Sequence, residues 1–126
     1  MKAAAPGELR YRKETRELVI GYDDGQFVLS AEFLRVHSPS AEVQGHNSVG
    51  GVLPRRKENV SIAAIEQVGN YAVKIRFSDG HDTGLYSWDW LRKLCLEQAI
   101  LWQEYRQKLL TEPDPASGEG VVRFIP

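Results

Sequence analysis

Two segments of this 126-residue chain are written to one plan, and that repetition constrains its fold more than any other feature. In the first, Glu17 to Tyr22 leads through Asp23-Asp24-Gly25 into Gln26 to Leu29 and then Ser30 to Arg35. In the second, Tyr71 to Ser78 leads through Asp79-Gly80 into His81 to Tyr86 and then Ser87 to Arg92. Both read as strand, Asp-Gly turn, strand, serine-capped helical turn. Asp-Gly suits a tight hairpin because glycine adopts positive φ freely and aspartate tolerates it. The alternation of Val73, Ile75 and Phe77 with Lys74, Arg76 and Ser78 gives one buried and one solvated face.

The rest of the chain extends this plan. Val60 to Val68 is β-branched and apolar and precedes Gly69-Asn70, so it is expected to pair with Tyr71 to Phe77; Glu8 to Tyr11 is a weaker strand pairing with Glu17 to Tyr22. From Ser87, whose hydroxyl can cap a helix, Leu91, Leu94, Cys95, Gln98, Leu101, Trp102, Tyr105 and Leu109 recur at steps of three and four. That stripe predicts one long helix, from Ser87 to Leu110, across a sheet. The expected fold is α+β: a twisted antiparallel β-sheet built from hairpins with one long C-terminal helix packed on it. Residues 1–7 read as a flexible N-terminus, 8–111 as the domain and 112–126 as a flexible tail ending in the apolar Val121 to Ile125.

Size and charge narrow the function. At 42% hydrophobic residues the chain can build one core but not two, and sixteen basic against seventeen acidic residues leave no field that would draw in nucleic acid. The short run Arg55-Arg56-Lys57 is diluted at once by Glu58. No stretch is long and apolar enough for a signal peptide or a membrane span, and a single thiol, Cys95, forms no internal disulfide. These features lead us to expect a cytoplasmic protein that binds neither membrane nor nucleic acid, with Cys95 as an inert core residue.

The polar residues concentrate in two places, Arg35 to His46 and Asp79 to Asp82. Ser38 and Ser40 have His37 and His46 nearby, but no nucleophile elbow surrounds them, and Gly45, Gly50 and Gly51 lack the lysine of a phosphate loop. Asp23, Asp24, Asp79 and Asp82 are read as turn residues rather than as an acid-base pair. No enzyme activity is expected. The candidate binding surface is Arg35, His37, Ser38, Ser40, Glu42, His46, Asp79, His81 and Asp82. The competing reading is a zinc or iron site built on His37, His46 and His81 with Glu42, Asp79 or Asp82, since imidazole and carboxylate suit both metals if the fold brings them together. His81, just after Asp-Gly, is expected half exposed at the start of a strand. Trp88, Trp90 and Trp102 are read as core or core-edge packing rather than a ligand platform.

Leu34 to His46, Val68 to Val73 and Asp79 to Trp88 together resemble a bacterial domain family of unknown function, DUF971, which is similar to the N-terminal domain of gamma-butyrobetaine hydroxylase. The resemblance runs from about Leu9 to Leu110. Related domains also occur fused to Mrp-type ATPases of plastid iron-sulfur cluster assembly, which points by analogy toward metal or cofactor metabolism. In the hydroxylases this domain holds zinc through a Cys-x-Cys-x-x-Cys motif and a later histidine. The resemblance puts Ser38, Ser40 and Val43 at the cysteine positions and His81 at the histidine. Serine and valine do not replace thiolates, so no resident cofactor is expected in the family's form, and Ser38 and Ser40 are expected instead to tie the loop to His81 by hydrogen bonds. The hydroxylases' catalytic work belongs to a separate iron- and 2-oxoglutarate-binding domain. The resemblance therefore implies a non-catalytic accessory or binding domain standing alone, its partner another protein or a second copy of itself.

Overall fold

The computed structural model describes residues 3–40, 43 and 53–114. Its elements are β1 (Glu8–Arg12), β2 (Glu17–Tyr22), β3 (Gly25–Ser30), α1 (Ala31–Val36), β4 (Ile62–Val68), β5 (Ala72–Phe77), β6 (Leu85–Ser87), α2 (Trp88–Leu96) and α3 (Gln98–Thr111). The strands form two three-stranded antiparallel sheets, ordered β1-β2-β3 and β4-β5-β6. The expected α+β class, built from antiparallel hairpins with helix at the C-terminal end, is what forms. Each sheet feeds directly into a helix, so the repeated plan in the sequence becomes two consecutive βββα units.

The correspondence reaches individual bonds. Ser30 Oγ accepts from the Phe33 N–H at 3.0 Å to cap α1, and Ser87 Oγ accepts from the Trp90 N–H at 3.1 Å to cap α2. In each unit the first helical N–H also donates to the residue just before the middle strand: Ala31 to the Arg16 carbonyl at 2.8 Å, Trp88 to the Tyr71 carbonyl at 3.1 Å. Two of the orphan donors that every helix start presents are thus satisfied in the same way twice.

Neither unit could bury its apolar face alone. Leu18, Ile20 and Leu29 of the first sheet, Phe33 and Leu34 of α1, Val73, Ile75, Phe77 and Tyr86 of the second sheet, and Leu91 and Leu94 of α2 form one shared core. The alternation expected along β5 is observed, with Val73, Ile75 and Phe77 buried and Arg76 exposed. Two phenols cross between the units. Tyr11 Oη accepts from the Ile62 N–H at 3.0 Å, and Tyr86 Oη donates to the Leu34 carbonyl.

The C-terminal helical segment bends at Glu97, whose φ of −109° and ψ of 20° separate α2 from α3. A straight helix from Ser87 to Leu110 would run about 36 Å, past the edge of a domain this size. The bend keeps the apolar stripe on the protein: Leu91, Leu94 and Cys95 enter the shared core, while Trp102 and Tyr105 turn toward α1. Trp88, Trp90 and Trp102 sit partly buried at the core edge, as expected. No helix among the described residues is long and apolar enough to cross a membrane.

Because the two serine caps do equivalent work, Ser30→Ala and Ser87→Ala should each destabilise the protein by about 1 kcal/mol. Urea denaturation monitored by circular dichroism checks this, and the two costs should add, since the caps share no partner.

Candidate functional site

The segment that follows α1 is held by the loop between β5 and β6. Ser38 is fully buried, and Ser40 and His81 nearly so. Ser38 Oγ and His81 Nε2 share a hydrogen bond of 2.9 Å, Ser40 Oγ stands 3.4 Å from the same nitrogen, and the Ser40 N–H donates to Ser38 Oγ at 3.3 Å. The tie expected between Ser38, Ser40 and His81 is therefore present. His81 itself corrects the expectation of a half-exposed residue at a strand start. β6 begins only at Leu85, and the chain between the Asp79-Gly80 turn and β6 folds inward, leaving His81 8% exposed.

Gly84 explains how this packing is reached. A Cβ at that position would lie 2.4 Å from Ser38 Oγ and 3.1 Å from Pro39 Cδ. Only glycine lets the two backbones approach so closely. Beside this clasp, Asp79 gathers charge. Its Oδ2 accepts from Arg35 Nε at 2.9 Å and from Lys57 Nζ at 2.7 Å, while Oδ1 accepts from the His81 N–H at 3.2 Å. Partial burial works against the Asp79 charge, but the hydrogen bonds from Lys57, His81 and Arg35 outweigh it and hold the carboxyl at about 2.

His37 occupies different surroundings from His81. Its ring lies 4.4 Å from that of Phe33, with Trp102 and Tyr105 at 6.4 and 6.2 Å, and its Nδ1 is 2.9 Å from the Phe33 carbonyl. Burial lowers its proton affinity, with the Phe33 and Leu101 carbonyls pulling the other way. The His37 side chain also faces a cleft of about 240 Å³, lined by Val36, Leu53, Trp90, Leu101, Tyr105 and Lys108 among others. The cleft walls are pinned: Trp90 Nε1 donates to the His37 carbonyl at 2.9 Å and Tyr105 Oη donates to the Pro54 carbonyl at 2.6 Å.

The structure thus brings Ser38, Ser40 and His81 together, links them through Asp79 to Arg35, and sets His37 in a separate aromatic cage. Asp82 is partly buried and joins none of these bonds, and Glu42 and His46 lie outside the described residues. Among the described residues no three His, Cys, Asp or Glu side chains are placed to hold a metal ion. Among the described residues the cluster offers two hydroxyls and one imidazole, a poor fit to zinc, which the resemblance associates with three thiolates at these positions. Cys95 is buried, and burial pushes its thiol up to about 11. The basic run is consumed locally: Arg55 donates to the Glu112 carbonyl at 2.7 Å, Arg56 pairs with Asp114 at 2.6 Å and Lys57 with Asp79. Sequence reasoning missed Lys57, Gly84, Trp90 and Tyr105 as site residues. For Gly84 the signal was its position between the clasp histidine and β6.

Two outcomes follow for the clasp. Ser38→Ala should cost about 1–3 kcal/mol by leaving buried polar atoms of His81 and Ser40 short of a partner. Gly84→Ala should cost about as much by overpacking, and adding Ser38→Gly to it should recover part of the loss, as a thermal or urea titration of the double variant will show. Asp79 makes stability depend on acid. Its proton affinity is depressed on folding, so its contribution is complete above the unfolded carboxylate range and disappears as pH falls from about 4 toward 2. For a half-exposed group that contribution is about 1 kcal/mol after solvent screening, and Asp79→Asn should flatten the stability profile in that window.

Residues 9–92 match the family described as gamma-butyrobetaine hydroxylase-like, N-terminal. Two solution NMR structures are similar over nearly the whole chain, one at 38% identity and TM-score 0.76, covering 97% of this chain and 99% of its own, the other at 43% identity and TM-score 0.73, covering 98% and 95%. A crystal structure of a DUF971-family protein of unknown function from Acidithiobacillus ferrooxidans is 37% identical with TM-score 0.59, covering 71% of this chain and 90% of that one. No curated protein matches the chain. With two thirds of its residues inside the family's match, the chain belongs to the gamma-butyrobetaine hydroxylase-like N-terminal domain family.

Proposed function

We propose that this protein is a non-catalytic accessory domain that binds another protein, and that its working surface is the cleft beside His37. The observation that carries this reading is a division of labour among the polar residues. Among the described residues Ser38, Ser40, His81, Asp79 and Cys95 are committed to holding the fold, while the cleft beside them is already shaped, with apolar and aromatic side chains in its walls and His37, Lys93, Glu104 and Lys108 giving it a largely polar exposed lining. Ser38 and His81 have the separation of a nucleophile and its base, but Ser38 is fully buried beneath Gly84, where a substrate has no approach. Cys95 is buried and its thiol is held protonated at neutral pH. Trp90, Tyr105 and His37 are each fixed by a hydrogen bond to backbone. A surface prepared in this way binds without first having to order itself. The analogy with related domains fused to Mrp-type ATPases supports a partner in metal or cofactor metabolism.

Site-specific photocrosslinking tests this. A photoreactive residue in place of Leu53, at the cleft, should give a covalent adduct with one defined protein in cells. The same residue in place of Leu110, which is 82% exposed on α3 outside the cleft lining, should not. An adduct of twice the chain mass would identify the partner as a second copy. Equal adducts from both positions, or none from position 53, would overturn the proposal.

A further inference from the structure

The chemistry of the cleft says more about its occupant. At about 240 Å³ it is smaller than the ~300–1,000 Å³ of typical small-molecule sites, a volume suited to one large side chain rather than a cofactor. Val36, Leu53, Trp90, Leu101 and Tyr105 give it an apolar and aromatic floor for one side chain, while polar atoms make up most of its exposed lining, with Lys93 and Lys108 among the groups that present them. Both lysines are exposed, and among the described residues neither is within ion-pairing distance of a carboxylate. Lys93 Nζ rests 5.4 Å from the centre of the Trp90 ring, at the edge of the wall. Glu104 also lines the cleft, one helical turn before Lys108 on α3, and among the described lining residues it leaves one positive charge in excess. That local excess runs against the formal charge of the whole chain, which is −1. Most of the arginines around the fold are by contrast matched: Arg35 with Asp79, Arg56 with Asp114, Arg76 with Glu66 and Arg92 with Asp24.

We propose that the cleft receives an acidic peptide segment of a protein partner, with one apolar side chain inserted between Trp90, Leu101 and Tyr105 and flanking carboxylates facing Lys93 and Lys108. This rests on the interaction reading above and names its partner's chemistry. The apolar side chain supplies the buried anchor, and the lysines select the sign of the residues beside it. His37 lines the wall with its Nδ1–H donated to the Phe33 carbonyl, and its burial works against a charge on the ring. An anchor flanked by lysines would meet the like charge of the rim.

The test uses ¹⁵N-labelled protein and three capped tripeptides, Glu-Phe-Glu, Glu-Ala-Glu and Lys-Phe-Lys, each titrated to millimolar concentration. Glu-Phe-Glu should shift the Trp90 indole N–H and the His37 amide in a saturable way. Glu-Ala-Glu should act at least about tenfold more weakly for want of an anchor, and Lys-Phe-Lys should leave both signals in place. Lys93→Glu combined with Lys108→Glu should weaken Glu-Phe-Glu by at least about tenfold, with Lys93→Ala and Lys108→Ala as milder variants and Lys74→Glu on β5 without effect. Equal response to the basic and acidic peptides, or no response of Trp90 to Glu-Phe-Glu, would overturn the proposal. If crosslinking from position 53 still captured a defined protein in that case, the interaction reading would stand and only the acidic chemistry would fall. Failure of both experiments would remove both.

Discussion

The meeting of Ser38 with His81 is the contact on which the polar half of this structure depends. It joins the segment leaving α1 to the loop entering β6, and so couples the end of the first βββα unit to the middle of the second. Both groups are withdrawn from water, where an unmatched hydroxyl or imidazole would be costly. Gly84 makes the approach possible, and Asp79 braces it by accepting from the His81 N–H, from Arg35 on α1 and from Lys57. With that corner fixed, the carbonyl of His37 is placed to receive the Trp90 indole, and one wall of the cleft is set.

The clasp also accounts for how a member of this family can hold its shape with serine where the resemblance places thiolates. A metal would join loop and hairpin through strong bonds to several donors. Among the described residues the same corner is joined by longer and weaker hydrogen bonds, made out of contact with water beside Tyr86, whose hydroxyl bonds the Leu34 carbonyl. Most chemically versatile side chains described on the candidate surface are thereby engaged in structure, and the cleft beside His37 lies to one side of them.

Much of the fold was legible in local sequence. The serine caps at Ser30 and Ser87, the alternation through Val73, Ile75 and Phe77, and the hairpin at Asp23-Asp24-Gly25 are set by residues within a few positions of one another, and such signals survive into the folded state. The bend at Glu97 was not legible, because no proline or glycine marks it and only the size of the domain requires it. The burial of His81 was misread from its neighbours in sequence, since what buries it is Ser38, 43 residues away. The link itself came from family resemblance, not from spacing. The cleft was likewise hidden: Leu101 and Tyr105 were read as part of a helical core stripe and Trp90 as core or core-edge packing, and nothing local shows that Leu53 and Pro54 would lie opposite them to leave a gap.

The bonds that join the two units all reach far along the chain. Those from Ser38 to His81, Arg35 to Asp79, Tyr11 to Ile62, Leu34 to Tyr86 and His37 to Trp90 span 43 to 53 residues. Each hairpin can form early and locally, but neither gains its core until the other arrives, and the entropy of closing so long a loop must be met first. Such a topology gives a slow, cooperative folder whose halves have little reason to exist apart. Two look-alike units have thereby become one indivisible body, despite a repeat in the sequence that suggests it could be cut in two.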